Sequence, residues 1–133
     1  MEKNISSIPY NFEDDSTKAT EAEIIERGYK QLSGEVIKSK IVDKTVLGDY
    51  LYGYKYVVEI NKDGTMEGKN NVGSHHFGQW KIDSVENTFT VQWDAGWDNN
   101  TARVYDVKGE LHFYDTTTEL WRTSLKEFKD TQN

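Results

Sequence analysis

A chain of 133 residues, 35% hydrophobic and 13% aromatic, has the size of one domain and must draw much of its buried area from rings. The absence of cysteine excludes disulfides and thiolate metal sites and leaves the redox compartment open. Sixteen basic against 23 acidic residues give a net charge of −7 with no Lys/Arg patch, which argues against nucleic acid or an anionic membrane as the main partner and fits a solubilising surface.

The first residues, "MEKNISSIPYNFEDD", lack a basic start followed by an apolar run, so no signal peptide is expected. The compartment is left unassigned: cytoplasmic as the sequence stands, periplasmic or secreted if a leader has been removed. No run approaches the roughly 20 apolar residues of a membrane span. Residues 1–15, polar and holding the single proline Pro9, read as a mobile arm. In "STKATEAEIIERGYKQL" (16–32), Ser16 or Thr17 can cap a helix and Glu21 and Glu23 favour its first turns. Ala22, Ile25, Tyr29 and Leu32 form its apolar stripe, which Gly28 weakens by about 1 kcal/mol relative to alanine. "SGEVIKSKIVDK" predicts a second, shorter helix capped by Ser33, with Val36, Ile37 and Ile41 on one side.

From Thr45 the period changes to two. Tyr50, Tyr52, Tyr54, Tyr56, Val58 and Ile60 share one strand face, with Gly53 marking a bulge or bend. "NKDG" (61–64) is read as a tight two-residue hairpin, Asp-Gly supplying its positive φ angles. Further strands place Trp80 with Ile82, then Phe89 with Val91 and Trp93, and then Val104 with Asp106 opposite Arg103, Tyr105 and Val107. Arg103 and Arg122 are each placed to satisfy a buried acid such as Asp106, or to lie on a tryptophan face. Leu111 and Phe113 pair on one face, and His112 turns away from them, either exposed or facing a cavity. "TELWRTSL" adds a last strand, and residues 127–133 read as a polar tail, leaving 16–126 as the single folded domain.

Seven or eight short strands with no room for a crossover after residue 45 must form an antiparallel meander. A meander this long tends to close on itself to remove its edges. The expected fold is therefore mainly β, an up-and-down barrel preceded by one or two helices.

"EINKDGTMEG" followed by "FGQWKIDSVENTFTVQW" resembles a pattern of small bacterial lipocalin-like (calycin-like) domains. In those domains a strand ends in Asp-Gly-Thr, a Gly-x-Trp opens the next hairpin, and a turn leads to another alternating strand. "LSGEVIKSKIVDKTV" is similar to the short helix leading into some of their barrels, so the resemblance spans about residues 32–122. It implies a barrel with an internal cavity, in families that mostly bind small apolar or amphipathic molecules. Lipocalins proper carry Gly-x-Trp on the first strand, whereas Gly78-Gln79-Trp80 falls near the fourth, so no ligand residues are carried over.

In a meander, successive connections fall at alternate ends. "NKDG", "DSVEN" and "VKGE" then share one tight end, while "NNVGSHH", "WDAGWDNN" and "DTTTE" share a longer, loop-bearing one. Ligand sites in small barrels lie in the mouth and upper interior. His75, His76, Asp94, Trp97, Asp98 and Asn99 are thus expected neighbours at the mouth. Of these, His75, His76, Asp94 and Trp97 are the candidate ligand contacts, together with Tyr54 and Tyr56 of the ladder. Adjacent histidines on an extended chain point to opposite faces, which works against chelation, and "DAGWDNN" lacks EF-hand spacing. No metal, cofactor or catalytic residue is assigned. Three functions remain: non-catalytic binding of a small, partly apolar or ring-bearing ligand; an enzyme using a mouth histidine as general acid or base; and a protein-interaction module docking through the N-terminal helix. The oligomeric state is unknown.

Overall fold

The computed structural model describes residues 20–50, 54–94 and 99–130. Two short helices, α1 (Glu21–Glu26) and α2 (Gly34–Ile41), precede eight strands. These are β1 (Lys44–Tyr50), β2 (Tyr54–Ile60), β3 (Thr65–Asn70), β4 (His75–Asp83), β5 (Thr88–Trp93), β6 (Asn100–Val107), β7 (Glu110–Asp115) and β8 (Trp121–Asp130). Each strand pairs antiparallel with the next, and β1 pairs with β8 to close the barrel. The meander and its closure are as the alternation predicts.

Alternation also sorts the two faces. Val46, Val58, Ile60, Met66, Phe89, Val104, Phe113 and Leu125 meet inside as one apolar cluster. Outside, Lys55, Glu59, Lys69 and Lys81 are exposed on β2, β3 and β4. This apolar-in, charged-out pattern is the reverse of that of a membrane-spanning barrel, and no described helix is long and apolar enough to cross a membrane.

α2 plugs the tight end. Ser33 caps it, its Oγ accepting from Val36 N at 3.2 Å. Ile37 and Ile41 are fully buried in the interior cluster, whereas Val36 lies on the solvent side. Two polar ties hold the plug: Gly34 N donates to Asn87 Oδ1 at 2.8 Å, and Asp43 N donates to Ile60 O at 2.7 Å. Burial of the two isoleucines at about 1.5–3 kcal/mol each outweighs what such short ties supply.

α1 is shorter than expected and sits elsewhere. Its cap is Thr20, reciprocated by Glu23 in a capping box, and it ends before Gly28. Ser16 and Thr17 lie outside the described residues. The helix packs on the outer barrel face, where Ile24 joins Tyr105, Val107, Tyr114 and Trp121 in a second cluster, with Tyr29 at its side. Ala22 and Ile25 are exposed, so the buried stripe is offset by one position from the one the spacing suggests. The reason is Glu21, which is buried although charged. Its carboxylate accepts from Arg103 Nε at 2.6 Å, Arg103 Nη2 at 2.9 Å and Tyr105 Oη at 2.7 Å. Arg103 thus meets Glu21 rather than Asp106, which faces Lys40 at 3.8 Å.

Three local readings also change. The hairpin at residues 61–64 is a four-residue loop in which Gly64 alone has positive φ (95°), while Asp63 Oδ1 accepts from Thr65 N and Oγ1. β8 continues through residues 127–130, because Phe128 packs against the interior and pairs with Val46. His112 is neither exposed nor in a cavity. It is fully buried on the outer face, between Tyr105 and Ser124 in register, with Nε2 3.1 Å from Glu110 Oε1.

Candidate functional site

Chain direction sets the depth of every inward side chain. β1 rises from the plugged end and β2 descends, so Val46 and Ile60 lie low while Tyr50 and Tyr56 lie high. By the same rule Met66, Phe89 and Leu111 are low, and Asn70, His76, Trp93, Asn100 and Thr123 are near the loop-bearing end. An apolar floor under a polar rim follows from the pattern.

A cavity runs from the apolar floor up to the polar rim, with about 80 Å³ open to the centres of water molecules. Val46, Val58, Ile60 and Leu125 make its aliphatic wall, and Phe89, Phe113 and Trp93 its aromatic one. Tyr50, Tyr56, Asn100, Arg122 and Thr123 supply polar groups. A smaller recess of about 30 Å³ shares Tyr50, Tyr56, Val58 and Trp93 with it and reaches Asn70, Ser74 and His76 at the rim.

Room for Trp93 is made by two glycines. A Cβ on Gly78 would stand 2.7 Å from Gln92 O and 2.9 Å from the Trp93 ring, and one on Gly68 would stand 2.9 Å from the same ring. The indole therefore lies across β3 and β4 where any side chain would displace it. Opposite it, Tyr50 packs edge-on against Tyr56, ring centres 5.1 Å apart, and tilted against Tyr54 at 5.5 Å.

The polar groups of this wall are ordered. Thr123 Oγ1 donates to Asp49 O at 2.8 Å, which spends its one proton. Tyr56 Oη is therefore the donor in its 2.5 Å bond to Thr123 Oγ1. Burial pushes the Tyr56 phenol far above its ordinary range, so it stays protonated at any physiological pH. Asn70 Nδ2 donates to Tyr50 Oη at 2.9 Å.

Arg122 reaches the cavity through an irregularity. β8 shifts register against β7 between Phe113 and Tyr114, with Tyr114 paired to Trp121 and Phe113 to Thr123. Trp121 packs in the outer cluster while Thr123 and Leu125 face inward, so Arg122 is the extra residue of a bulge. Its side chain lines the cavity and its Nε is buried. It is the one charged side chain in that lining among the described residues.

The residues singled out from sequence divide. His76 and Asp94 come together, Nδ1 to Oδ1 3.1 Å, at the rim of the recess. Asp94 Oδ2 also accepts from Phe77 N at 3.4 Å, tying β4 to the connection after β5. Asn99 Oδ1 accepts from Trp93 N at 2.8 Å. Tyr56 lines both cavity and recess, whereas Tyr54 lines neither and its ring meets that of Tyr50. His75 turns to the outer face, where its Nε2 is 2.6 Å from Glu67 Oε2 and its ring lies against Phe77. Trp97 and Asp98, like Tyr52 and Gly53, lie outside the described residues. β4 begins at His75, so both histidines sit on a strand and its alternation sends them to opposite faces. No cluster of three or more metal-ligating side chains occurs among the described residues.

Comparison with family models, with curated proteins and with solved structures finds no match for this chain.

Proposed function

We propose that the chain binds a small, partly apolar or ring-bearing molecule, without catalysis, in the upper interior of a lipocalin-like barrel. Eight antiparallel strands closed in sequence order are compatible with that architecture. The observation that carries the reading is the cavity itself: about 80 Å³ of space with aliphatic and aromatic walls and polar groups placed at the upper edge. Small-molecule sites are mostly apolar with a few polar groups that orient the ligand, and the mouth of a barrel is a usual place for them. The plug formed by α2 supports the same reading, since Ile37 and Ile41 close the opposite end of the barrel.

The acid–base alternative draws on the His76–Asp94 pair, and Asp94 also accepts from Phe77 N, so the pair ties β4 to the following loop. The docking alternative keeps Ala22 and Ile25 exposed on α1, but that face is short, because the helix has six residues and commits Ile24 and Glu21 to its own barrel.

The test is a thermal-shift and native mass-spectrometry screen of one- and two-ring compounds, run beside Val91→Phe. Val91 lines the cavity, and the larger ring fills part of it. Ligands that bind the wild type and are lost in the folded variant support the proposal. No binding, or binding indifferent to Val91→Phe, ends it.

A further inference from the structure

One stretch of the cavity wall has a direction. Thr123 Oγ1 gives its one proton to Asp49 O at 2.8 Å, and Tyr56 Oη gives its own to Thr123 Oγ1 at 2.5 Å. Both residues line the cavity, so both protons run away from it, toward the backbone of β1. A hydroxyl that donates keeps its lone pairs, and Tyr56 Oη accepts no hydrogen bond from the described residues. Donation polarises the oxygen as well, which makes a hydroxyl within such a chain a better acceptor than one standing alone. Burial pushes the Tyr56 phenol up further than the Thr123 bond draws it down, so the proton stays in place across the physiological range. Arg122 is already engaged within the chain and does not stand open to a ligand.

We infer that the ligand is a small ring carrying a hydrogen-bond donor, an O–H or N–H that it gives to Tyr56 Oη, with the ring against Phe89, Phe113 and Trp93. This rests on the cavity-binding reading above and names the ligand class for it. Size agrees: at roughly 10–15 Å³ for each water, the cavity has room for about six, enough for one ring with a single small substituent. A molecule that brings only acceptors, such as an ether or a nitrile, sets lone pair against lone pair on this wall.

Thr123 sets the direction, and that gives the inference a consequence which an apolar cavity alone does not share. Thr123→Val keeps the branched shape but removes the acceptor of the Tyr56 proton. The phenol is then free to turn its O–H toward the cavity, and the same wall changes from acceptor to donor. The preferred ligand should change with it.

The experiment uses the full chain and three one-ring probes: phenol, which donates; benzonitrile, which only accepts and leaves water about as readily as phenol; and toluene, which does neither. Amide-proton shifts in NMR titrations give both affinity and location. Phenol is expected to bind about three- to tenfold more tightly than benzonitrile, the range of one net hydrogen bond, with the largest shifts at Tyr56, Phe113 and Thr123. In Thr123→Val that ratio should fall to about one or invert, while toluene affinity stays within about twofold. Thr123→Ser retains the hydroxyl and should retain the preference for phenol. Should Thr123→Val fail to fold, the wild-type ranking and the Thr123→Ser variant decide. The inference is overturned if benzonitrile binds the wild type as tightly as phenol does, if Thr123→Val leaves their ratio unchanged, or if Thr123→Ser abolishes the preference. In those cases binding of toluene in the cavity still stands. If no probe binds, the inference falls, and the Val91→Phe screen decides separately whether the cavity reading falls with it.

Discussion

Removing Glu21 tests the least expected contact in the fold. Glu21→Ala deletes the acceptor of three hydrogen bonds, two from Arg103 and one from Tyr105, all at 2.6–2.9 Å. Breaking a buried ion pair by deleting one partner costs about 3–5 kcal/mol. The Arg103 side chain is 28% exposed and can turn back to water, which brings the cost to or just below the bottom of that range, about 2–3 kcal/mol. At about 2.1 cal/mol/K per residue, a chain of 133 residues loses about 0.28 kcal/mol for each degree, so Tm falls by about 7–11 °C. Glu21→Gln keeps the shape and one acceptor and should cost about half as much. The pH dependence carries a sign. Burial pushes the Glu21 carboxyl up, but hydrogen bonds from Arg103 and Tyr105 and the Arg103 charge outweigh it, and the net value lies below the ordinary one. A carboxylate depressed on folding stabilises fully above its unfolded value, about 4.3, and loses that contribution as pH falls through the folded value. The gap between wild type and Glu21→Gln should therefore be widest above pH ~5 and narrow below ~4. Urea unfolding across that range, with amide exchange over residues 20–33, measures both. A Glu21→Ala variant within about 0.5 kcal/mol of wild type would refute the claim that this network fixes the N-terminal segment to the barrel.

Three further outcomes follow from particular contacts. Ile37→Ala empties part of the α2 plug and should cost about 2–4 kcal/mol in urea unfolding; a cost under 1 kcal/mol means that α2 is not docked in the barrel end. Gly78→Ala forces its new methyl against Gln92 O and the Trp93 ring, so about 1–3 kcal/mol is lost and near-UV dichroism of the tryptophans changes. An unaltered spectrum would mean that Trp93 does not lie over β4. Thr20→Ala removes the capping box of α1, with an expected cost of about 1 kcal/mol and faster amide exchange confined to Glu23 and Ile24; faster exchange in the strands instead would contradict a local cap.

Period-two alternation made the barrel legible, because a strand with one apolar face states its own side of the sheet. Val58, Ile60, Phe89, Val91 and Phe113 fall where the pattern puts them. Topology made the end of the barrel legible too, and with it the meeting of His76 and Asp94 across 18 residues of sequence. What alternation cannot express is a residue inserted into it. Read at strict period two, Trp121, Thr123 and Leu125 share a face and Arg122 points away. The bulge breaks that parity, sends Trp121 outward and leaves Arg122 at the cavity. Glu21 was hidden for another reason. A helical stripe is drawn from apolar residues, and a glutamate on the buried face has no place in it until Arg103, 82 positions later, is known to lie opposite. The histidine pair divides as adjacency on a strand requires, with His76 at the rim of the recess and His75 on the outer face.

The same reasoning explains why the open space sits where it does. At the plugged end Ile37 and Ile41 from α2 close the floor of the barrel, and the open space lies above them. No helix enters the other half among the described residues, and its strands carry Gly68 and Gly78 where larger side chains would close it. Trp93 takes the room beside those glycines and forms a wall rather than a filling, because its ring lies against β3 and β4 and leaves the axis clear.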